Sequence, residues 1–332
     1  MDAAIYRMES YAGLRETMQQ GGTRLRSLLR LQNTLIRPIV VEGFGFWTGE
    51  DIRVEFRPAP VDTGLVFVRT DLPDEPRIPA LAAHRDSKPR QTSLVCGSAR
   101  VDMVEHVLAA IRALQIDNCE IRVDRPEMPG LDGSSMPFVL ALEEAGITPQ
   151  PGIRPLRIVT RELRVGDEKT WIEAVPTGEG VHAIDYTLEF DGPNPIGNQN
   201  YRFVTNPDRF KRELMNCRTF LTKGEADHLL AQGLCRRVRP TDLLVFDKNG
   251  PMDNHLHFEN ECARHKILDM IGDFGLTPCD WVGRFTARRS GHALNVECVV
   301  KLENATLLID ESCLPANSEL LLKKERLLKK IA

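Results

Sequence analysis

The chain has 332 residues, of which 42% are hydrophobic and 27% are charged. This length favours two domains, and the composition is ordinary for a globular protein that buries its own core. A net charge of −4 at pH 7 argues against a protein that binds nucleic acid through a basic surface, because phosphate contacts need an excess of Lys and Arg.

The eight cysteines are scattered along the chain without a Cys-x-x-Cys pair. Scattered thiols in a chain of this length predict a reduced, cytoplasmic protein. They also argue against a structural zinc site made of thiolates, so any metal is expected on histidine and carboxylate side chains. No apolar run approaches the roughly 20 residues of a membrane span. The first residues lack the apolar stretch of a secretory signal.

The first half alternates strand-like runs with helical periodicity. Residues 1–31 are polar and are expected to form an extension outside the core. The helix predicted over 102–114 has Asp102 as its N-cap and Glu105 as its partner in a capping box. The remaining elements predicted here are strands at 36–41, 52–56, 64–68 and 119–123 and a helix at 134–145.

The second half repeats the order of strands, helix, strand and helix. Gln150-Pro151-Gly152 is the predicted divide between the halves. The pattern therefore predicts an α+β fold with two similarly built domains, 32–150 and 151–310. The elements expected in the second half are strands within 155–190, a helix at 259–274, a strand at 281–287 and a helix after residue 291.

The tail, residues 311–332, ends in a basic, Leu-rich helix predicted over 320–331. We expect this helix to pack on the body of the protein. The alternative is a helix that makes weak contact with a membrane surface, since basic residues accompany its leucines.

Two short motifs carry metal-binding side chains. His265 and Asp269 lie four residues apart on a predicted helix, so both face one side about 6 Å apart, with Asp273 one turn further on. Glu105 and His106 are adjacent on the earlier helix. Alone, each motif is more often a surface pair or a cap. Together they supply the imidazoles, the carboxylate ligand and the additional carboxylate base that zinc-dependent hydrolysis requires.

His292 lies at the predicted start of a helix, which would lower its pKa, whereas a carboxylate partner would raise it. This position makes His292 a candidate acid or oxyanion stabiliser. We find no Gly-x-Ser-x-Gly, His-Glu-x-x-His or phosphate-loop motif, and residues 43–46 lack the third glycine of a dinucleotide site. The histidines that have no such context, and that we interpret as ordinary surface or core residues, are His84, His182, His228, His255 and His257.

Several segments, in order, resemble the UDP-3-O-acyl-N-acetylglucosamine deacetylase family, which comprises zinc enzymes of lipid A biosynthesis in Gram-negative-type bacteria. Long motifs in one order are far more specific than any one of them, and here they cover nearly the whole chain. The segments that carry the resemblance are 58–64, 104–110, 129–134, 218–220, 264–273 and 290–295.

The resemblance implies two βααβ-type domains with the active site between them. It implies that Zn2+ is bound by His106, His265 and Asp269, and that Glu105 is the general base. It also implies that His292 is protonated, steadies the oxyanion and donates a proton to the leaving amine. The implied reaction removes acetate from the 2-amino group of UDP-3-O-(3-hydroxyacyl)-N-acetylglucosamine.

The resemblance extends to residues around this centre. Asp273 would hold His292 in its charged state, and Thr219 would help to stabilise the oxyanion. Lys266 and Phe220 would contact the nucleotide-sugar, and Arg289 would lie beside the substrate. Residues 221–247 would form a βαβ insert with a hydrophobic passage for the acyl chain. The leucines expected to line this passage are Leu229, Leu230, Leu234, Leu243 and Leu244.

The chain departs from the family pattern at four places. Trp47 replaces a histidine, Leu221 replaces a glycine, residues 235–239 carry three arginines, and Arg289 replaces a lysine. All four are expected to affect substrate binding rather than the metal. Three alternatives therefore stay open: a divergent paralogue that acts on another N-acetylated sugar, a non-catalytic relative that binds lipid or nucleotide, and a structural protein whose His/Asp pairs are accidental.

Overall fold

The computed structural model describes residues 28–86, 88, 90–177 and 180–331. Most of the predicted extension, residues 1–27, lies outside the described residues. Within the described part, helices and strands are interspersed, which confirms the α+β class.

The bounds of the elements are as follows. Strands β1 to β10 are Arg30–Leu35, Ile39–Phe44, Asp51–Pro58, Leu65–Arg69, Arg77–Pro79, Arg85–Asp86, Ser93–Cys96, Ala99–Asp102, Cys119–Val123 and Ile147–Arg154. Strands β11 to β20 are Leu156–Val159, Leu163–Gly166, Trp171–Val175, His182–Leu188, Gln199–Val204, Phe220–Thr222, Leu244–Asp247, Gly250–Pro251, Asp280–Arg288 and Thr306–Ile309. Helices α1 to α7 are Glu105–Ala113, Met136–Ala145, Pro207–Glu213, Lys223–Ala231, Glu261–Phe274, His292–Leu302 and Glu319–Ile331.

The first half contains a five-stranded sheet with the order β2-β3-β9-β4-β5. Only the β4–β9 pair in it is parallel. Ile52, Val54 and Phe56 on β3 are buried, while the residues between them are more exposed. This period of two places one face of the sheet on the core, as the alternating sequence predicts.

The second half contains a seven-stranded sheet. Its main order is β12-β13-β19-β11-β20, and β14 pairs with both β19 and β15. The predicted divide at 150–152 lies inside β10, which pairs antiparallel with β1. The division into domains 32–150 and 151–310 stays a prediction.

Helices α1 and α5 pack closely against each other and bring the two halves together. Their buried side chains belong to one continuous apolar core that also includes residues from both large sheets. Gly272 on α5 allows this close approach, because a Cβ there would lie 2.1 Å from the Glu105 carbonyl oxygen. The N-terminal turn of α1 therefore lies directly against the helix that carries His265 and Asp269.

The capping box predicted for α1 is wrong. The helix begins at Glu105, and Asp102 is the last residue of β8. The Asp102 carboxylate accepts hydrogen bonds from Arg100 and Lys88, and Glu105 Oε2 accepts one from the Thr92 backbone N–H instead. A tertiary contact has replaced the local cap.

The strand predicted over 36–41 is wrong in its first half, because residues 36–38 lie between two strands. Strand β1 ends at Leu35 and β2 begins at Ile39. Pro38 lies between them, and proline has no backbone N–H to continue a ladder. The strands predicted at 52–56, 64–68, 119–123 and 281–287 and the helices at 134–145 and 259–274 are confirmed to within about two residues at each end.

The C-terminal helix α7 packs on the body, as we expected. Leu320 and Leu321 lie against a small apolar cluster that includes Leu29, Ile153 and Ile309. Contact of α7 with a membrane surface stays a prediction. Within the described ranges, no helix is both long and apolar enough to cross a membrane.

Candidate metal centre

His106, His265 and Asp269 meet in three dimensions, although 163 residues separate the most distant two. Asp269 Oδ1 lies 3.6 Å from His106 Nε2 and 3.3 Å from His265 Nε2, and one ligand atom from each residue lies within 4.8 Å of the other two. All three side chains are buried. This group could hold a metal ion.

The donor set fits a metal ion in two further respects. Asp269 Oδ1 is buried and has no hydrogen-bond partner among the described residues, which is costly for a carboxylate oxygen unless a cation satisfies it. His265 Nδ1 lies 3.0 Å from the Cys217 carbonyl oxygen. Donation of its proton to that oxygen leaves Nε2 as the bare ligand atom.

His265 and Asp269 differ in their charge. Burial lowers the pKa of His265 to about 4, so the ring is neutral and its lone pair is available. Burial alone would raise the pKa of Asp269, but His265 and Lys266 hold it well below its ordinary value. Lys266 Nζ donates to Asp269 Oδ2 at 2.7 Å. A neutral imidazole beside an ionised carboxylate is the state that a divalent cation needs.

Glu105 lies at the border of the group but outside it. It is 3% exposed, and burial raises its pKa above the ordinary value. Its Oε2 accepts the Thr92 N–H at 2.9 Å, while Oε1 lies 3.7 Å from His292 Nε2. This second oxygen therefore points towards the other candidate proton carrier.

His292 is the first residue of α6, as the sequence predicted. Its Nδ1 lies 3.0 Å from Asp273 Oδ2, and its Nε2 lies 4.0 Å from Asp269 Oδ2. Burial lowers the pKa of His292, but Asp273 and Glu105 outweigh burial and raise the pKa to about 9. The carboxylates thus prevail over the helix terminus, and the ring is cationic at neutral pH.

Two buried residues at this centre escaped the sequence analysis. Thr92 donates through its backbone to Glu105 and through Oγ1 to Asp273. Asn295 Nδ2 donates to Asp273 Oδ2 at 2.8 Å. Asn295 follows His292 by three residues, so the helical spacing was a usable signal. Thr92 lies 181 residues from Asp273 and carried no local signal.

A cavity of about 810 Å3 opens beside the metal-binding group. It has more apolar than polar lining, and the helix and strands of the insert form part of its wall. The predicted site residues that line it are Glu105, His106, Thr219, Phe220, Leu229, Leu230, Leu243, His265, Lys266, Asp269, Arg289 and His292.

Three predicted residues lie elsewhere. Asp273 is fully buried behind His292. Leu234 and Leu244 are not among the residues that line the cavity. Leu244 is instead fully buried in the core, because β17 directs alternate side chains to opposite faces. None of the five histidines interpreted as ordinary lines the cavity.

The insert has the βαβ form that the resemblance implied. Strand β16 pairs parallel with β17, and α4 connects them. Thr222 and Glu225 form a capping box at the start of α4. Trp47 and Leu221, two departures from the family pattern, lie on the cavity wall, and Leu221 belongs to the insert itself.

Arg237 joins the insert to the first sheet. Its guanidinium lies 4.4 Å from the centre of the Phe44 ring and donates to Asp51 and to the Gly49 carbonyl. One of the three arginines in residues 235–239 therefore links the insert to the first half of the chain.

Comparison with known proteins agrees with this geometry. The family model described as LpxC, UDP-3-O-acyl N-acetylglycosamine deacetylase, matches residues 32–304. The UDP-3-O-acyl-N-acetylglucosamine deacetylase of Anaeromyxobacter sp. is 36% identical over 285 residues, which cover 85% of this chain and 90% of that protein. The enzyme of the same name from Chlamydia felis is 36% identical over 270 residues, 81% of this chain and 95% of its own.

A third relative, the deacetylase of Solibacter usitatus, is 34% identical over 82% of this chain and 92% of its own length. The span that the family model matches, 32–304, contains His106, His265, Asp269, Glu105 and His292. The chain therefore belongs to the UDP-3-O-acyl N-acetylglycosamine deacetylase (LpxC) family.

Proposed function

We propose that this chain is a zinc-dependent deacetylase that removes acetate from the 2-acetamido group of UDP-3-O-(3-hydroxyacyl)-N-acetylglucosamine in lipid A biosynthesis. Family membership supports the reaction class. The observation that carries the proposal is the buried group of His106, His265 and Asp269 with Glu105 and His292 on its border.

The donor set favours zinc among divalent metals. Two imidazoles, one carboxylate and room for a further ligand are typical of catalytic zinc sites, whereas Mg2+ and Ca2+ prefer oxygen donors. When bound, Zn2+ supplies a Lewis acid that lowers the pKa of a water molecule and polarises a carbonyl. The ligands would be His106, His265 and Asp269.

Glu105 accepts the proton of the attacking water as the new C–O bond forms. Burial raises the pKa of Glu105 towards neutral pH, and a general base works best when its pKa is near the working pH. Its Oε2 is occupied by the Thr92 N–H, so Oε1 is the oxygen that takes the proton. Glu105 is not among the clustered metal-binding residues, which leaves it available for this role.

His292 supplies the proton to the leaving group. Its pKa of about 9 keeps the ring charged at neutral pH, and Asp273 fixes Nδ1, so Nε2 faces the reacting atoms. Collapse of the tetrahedral intermediate breaks the C–N bond, and Nε2 protonates the departing amine. The charged ring and the Thr219 side chain on the cavity wall stabilise the oxyanion.

The substrate's two ends require different surfaces. Lys266 and Arg289 are cations on the cavity wall that suit the diphosphate, and Phe220 offers a ring face to the nucleotide-sugar. Leu229, Leu230 and Leu243 line the apolar part that accepts the acyl chain. A cytoplasmic location is consistent with eight free cysteines, none of which forms a disulfide.

The cavity wall differs from the family pattern in a way that would suit a different N-acetylated sugar. Trp47, Leu221 and Arg289, which depart from the family pattern, all lie on the cavity wall. A divergent member acting on another N-acetylated sugar would change this wall and leave the metal ligands intact. A non-catalytic binding protein is disfavoured, because it would not need a buried base, Glu105, or a buried acid, His292, that Asp273 orients.

The test is acetate release from the acylated UDP-N-acetylglucosamine, with Glu105→Gln as the control. The amide can still accept the Thr92 N–H but cannot take a proton, so we expect a kcat on the order of 100- to 10,000-fold lower. Zinc-loaded protein without turnover on this substrate would overturn the substrate assignment and favour the paralogue. Full activity of Glu105→Gln would overturn the mechanism.

A further inference from the structure

Thr92 is the residue that joins the two halves of the proton-transfer apparatus. Its backbone N–H donates to Glu105 Oε2 at 2.9 Å. Its hydroxyl donates to Asp273 Oδ1, and Asp273 Oδ2 in turn lies 3.0 Å from His292 Nδ1. One fully buried residue therefore contacts both the general base and the carboxylate that orients the general acid.

Each of the two hydrogen bonds occupies one carboxylate oxygen and leaves the other oxygen of that carboxylate to face His292. With Oε2 held by Thr92, Glu105 Oε1 faces His292 Nε2. With Oδ1 held by the hydroxyl, Asp273 Oδ2 is left for the His292 ring and the Asn295 amide. A carboxylate held through one oxygen cannot rotate freely about its Cβ–Cγ or Cγ–Cδ bond, so both groups keep a single orientation.

Thr92 is itself held from two sides. Its carbonyl oxygen accepts the Val104 N–H at 3.2 Å, just before helix α1 begins. The next residue, Ser93, starts strand β7 and pairs with Asp102 of β8. The β-branched side chain also has a restricted χ1 angle. A rigid hairpin therefore fixes the position of both donors relative to α1 and α5.

We propose that Thr92 is a positioning residue for the deacetylation, holding Glu105 directly and His292 through Asp273 in the geometry that proton transfer requires. This inference rests on the proposed function. It assigns Thr92 no contact with the substrate or the metal. The competing view is that Thr92 only fills a buried polar position, as many buried threonines do.

Thr92→Val separates the two views, because it keeps the shape and the backbone N–H and removes only the hydroxyl donor. Loss of a buried hydrogen bond to a charged group, when it orients a catalytic group, predicts a kcat lower by roughly 10- to 100-fold. We expect KM to change by less than about twofold, since ground-state binding is untouched. Thr92→Ser keeps both donors and should restore kcat to near the wild-type value.

Ser93→Ala is the matched control. Ser93 is the adjacent buried hydroxyl residue, and its Oγ lies near Gln91 rather than near a catalytic group. We expect this variant to keep the wild-type kcat. Zinc content is measured for every variant, so that a loss of metal is not mistaken for a loss of positioning. Should Thr92→Val not fold, Thr92→Ala removes the same hydroxyl without burying a new methyl group against a carboxylate.

A second readout does not depend on turnover. In a protein with labelled histidine, the His292 Nδ1 proton reports the strength of its bond to Asp273, and Thr92→Val should shift this resonance while Ser93→Ala should not. An unshifted signal, or a wild-type kcat in Thr92→Val, would overturn the inference, as would Thr92→Ser failing to restore kcat. Absence of turnover in the wild type would instead overturn the proposed function, and the resonance would still decide the role of Thr92.

Discussion

Asp269 is the residue at which the contacts of the metal centre converge. Its Oδ1 faces two imidazoles and its Oδ2 accepts from Lys266. The carboxylate is buried, and its charge is compensated on the Oδ2 side, by Lys266 at 2.7 Å and by His292 at 4.0 Å. A metal ion would supply the missing partner for Oδ1, so the affinity of the centre should depend strongly on this residue.

Asp269→Ala should abolish stable metal binding. The change removes the only carboxylate of the proposed ligand group and leaves two imidazoles, so we expect zinc per chain to fall at least about tenfold after dialysis. The measurement is metal content by mass spectrometry. Asp273→Asn, one turn along the same helix and outside the ligand group, should retain its zinc. Retention of zinc by Asp269→Ala would contradict the ligand assignment.

The sequence predicted the clustered residues His106, His265 and Asp269 better than it predicted the residues that hold their neighbours in place. The spacing of four between His265 and Asp269 places them on one helix face whatever the rest of the fold does. The ordered motifs added His106, Glu105 and His292. Thr92 could not be found in this way, because both its partners reach it only through the tertiary fold.

The pairing of α1 with α5 determines whether the centre forms. Gly272 lies where the two helices touch, and any Cβ at this position would overlap the Glu105 backbone. A displacement of α1 would move Glu105 and His106 together, since they are adjacent on its first turn. The geometry of the centre therefore depends on a close contact between Gly272 and the backbone of Glu105.

Gly272→Ala tests this contact. Overpacking of a dense interface costs about 1–3 kcal/mol, so the free energy of unfolding should fall by that amount in denaturant titrations. Because α1 must move, kcat should fall as well. An alanine variant with wild-type stability and turnover would show that the helices can be further apart than we describe.

The insert formed by β16, α4 and β17 offers a separate test of the acyl passage. Leu229 lies on the cavity wall, and a carboxylate there would place a charge against the acyl chain. Leu229→Asp should therefore raise KM for the acylated substrate by on the order of tenfold, because an apolar contact worth about 1–3 kcal/mol is replaced by a charge.

Leu234→Asp is the matched control for Leu229→Asp. The same change is made in the same insert, outside the cavity lining, and KM should stay near the wild-type value. Steady-state kinetics over a range of substrate concentrations gives both values. Equal effects of the two variants would contradict the position of the passage.

Helices and strands were predictable where the spacing of apolar residues alone defines them. The helix at 261–274 and the strand at 280–288 follow from patterns of 3.6 and 2 residues. The start of α1 was not predictable, because Glu105 exchanges a local cap for a partner 13 residues away. The break at Pro38 was overlooked although the missing N–H was visible in the sequence.

A buried ion network ties distant parts of the molecule together. Asp117, which precedes β9, contacts Arg30 of β1 and Arg154 of β10, and both arginines also contact Asp280 of β19. Asp117 is 1% exposed. The network therefore links the first sheet, the β1–β10 pair and the second sheet, and none of its four residues lines the cavity.

Asp117→Asn should destabilise the whole protein without altering the site. One partner of a buried ion network is removed, which costs about 3 kcal/mol and lowers Tm by on the order of 5 °C. Calorimetry measures the shift. We expect kcat below the transition to be close to wild type, so a loss of activity with an unchanged Tm would contradict this account of the network.

For the molecule as a whole, we propose that this chain deacetylates an acylated UDP-N-acetylglucosamine by means of a zinc ion held by residues of both halves. The most direct measurement is acetate release by the purified chain before chelation, after chelation and after zinc is returned. We predict that chelation abolishes release and that about one equivalent of zinc per chain restores it. Undiminished release by metal-free protein would contradict the claim.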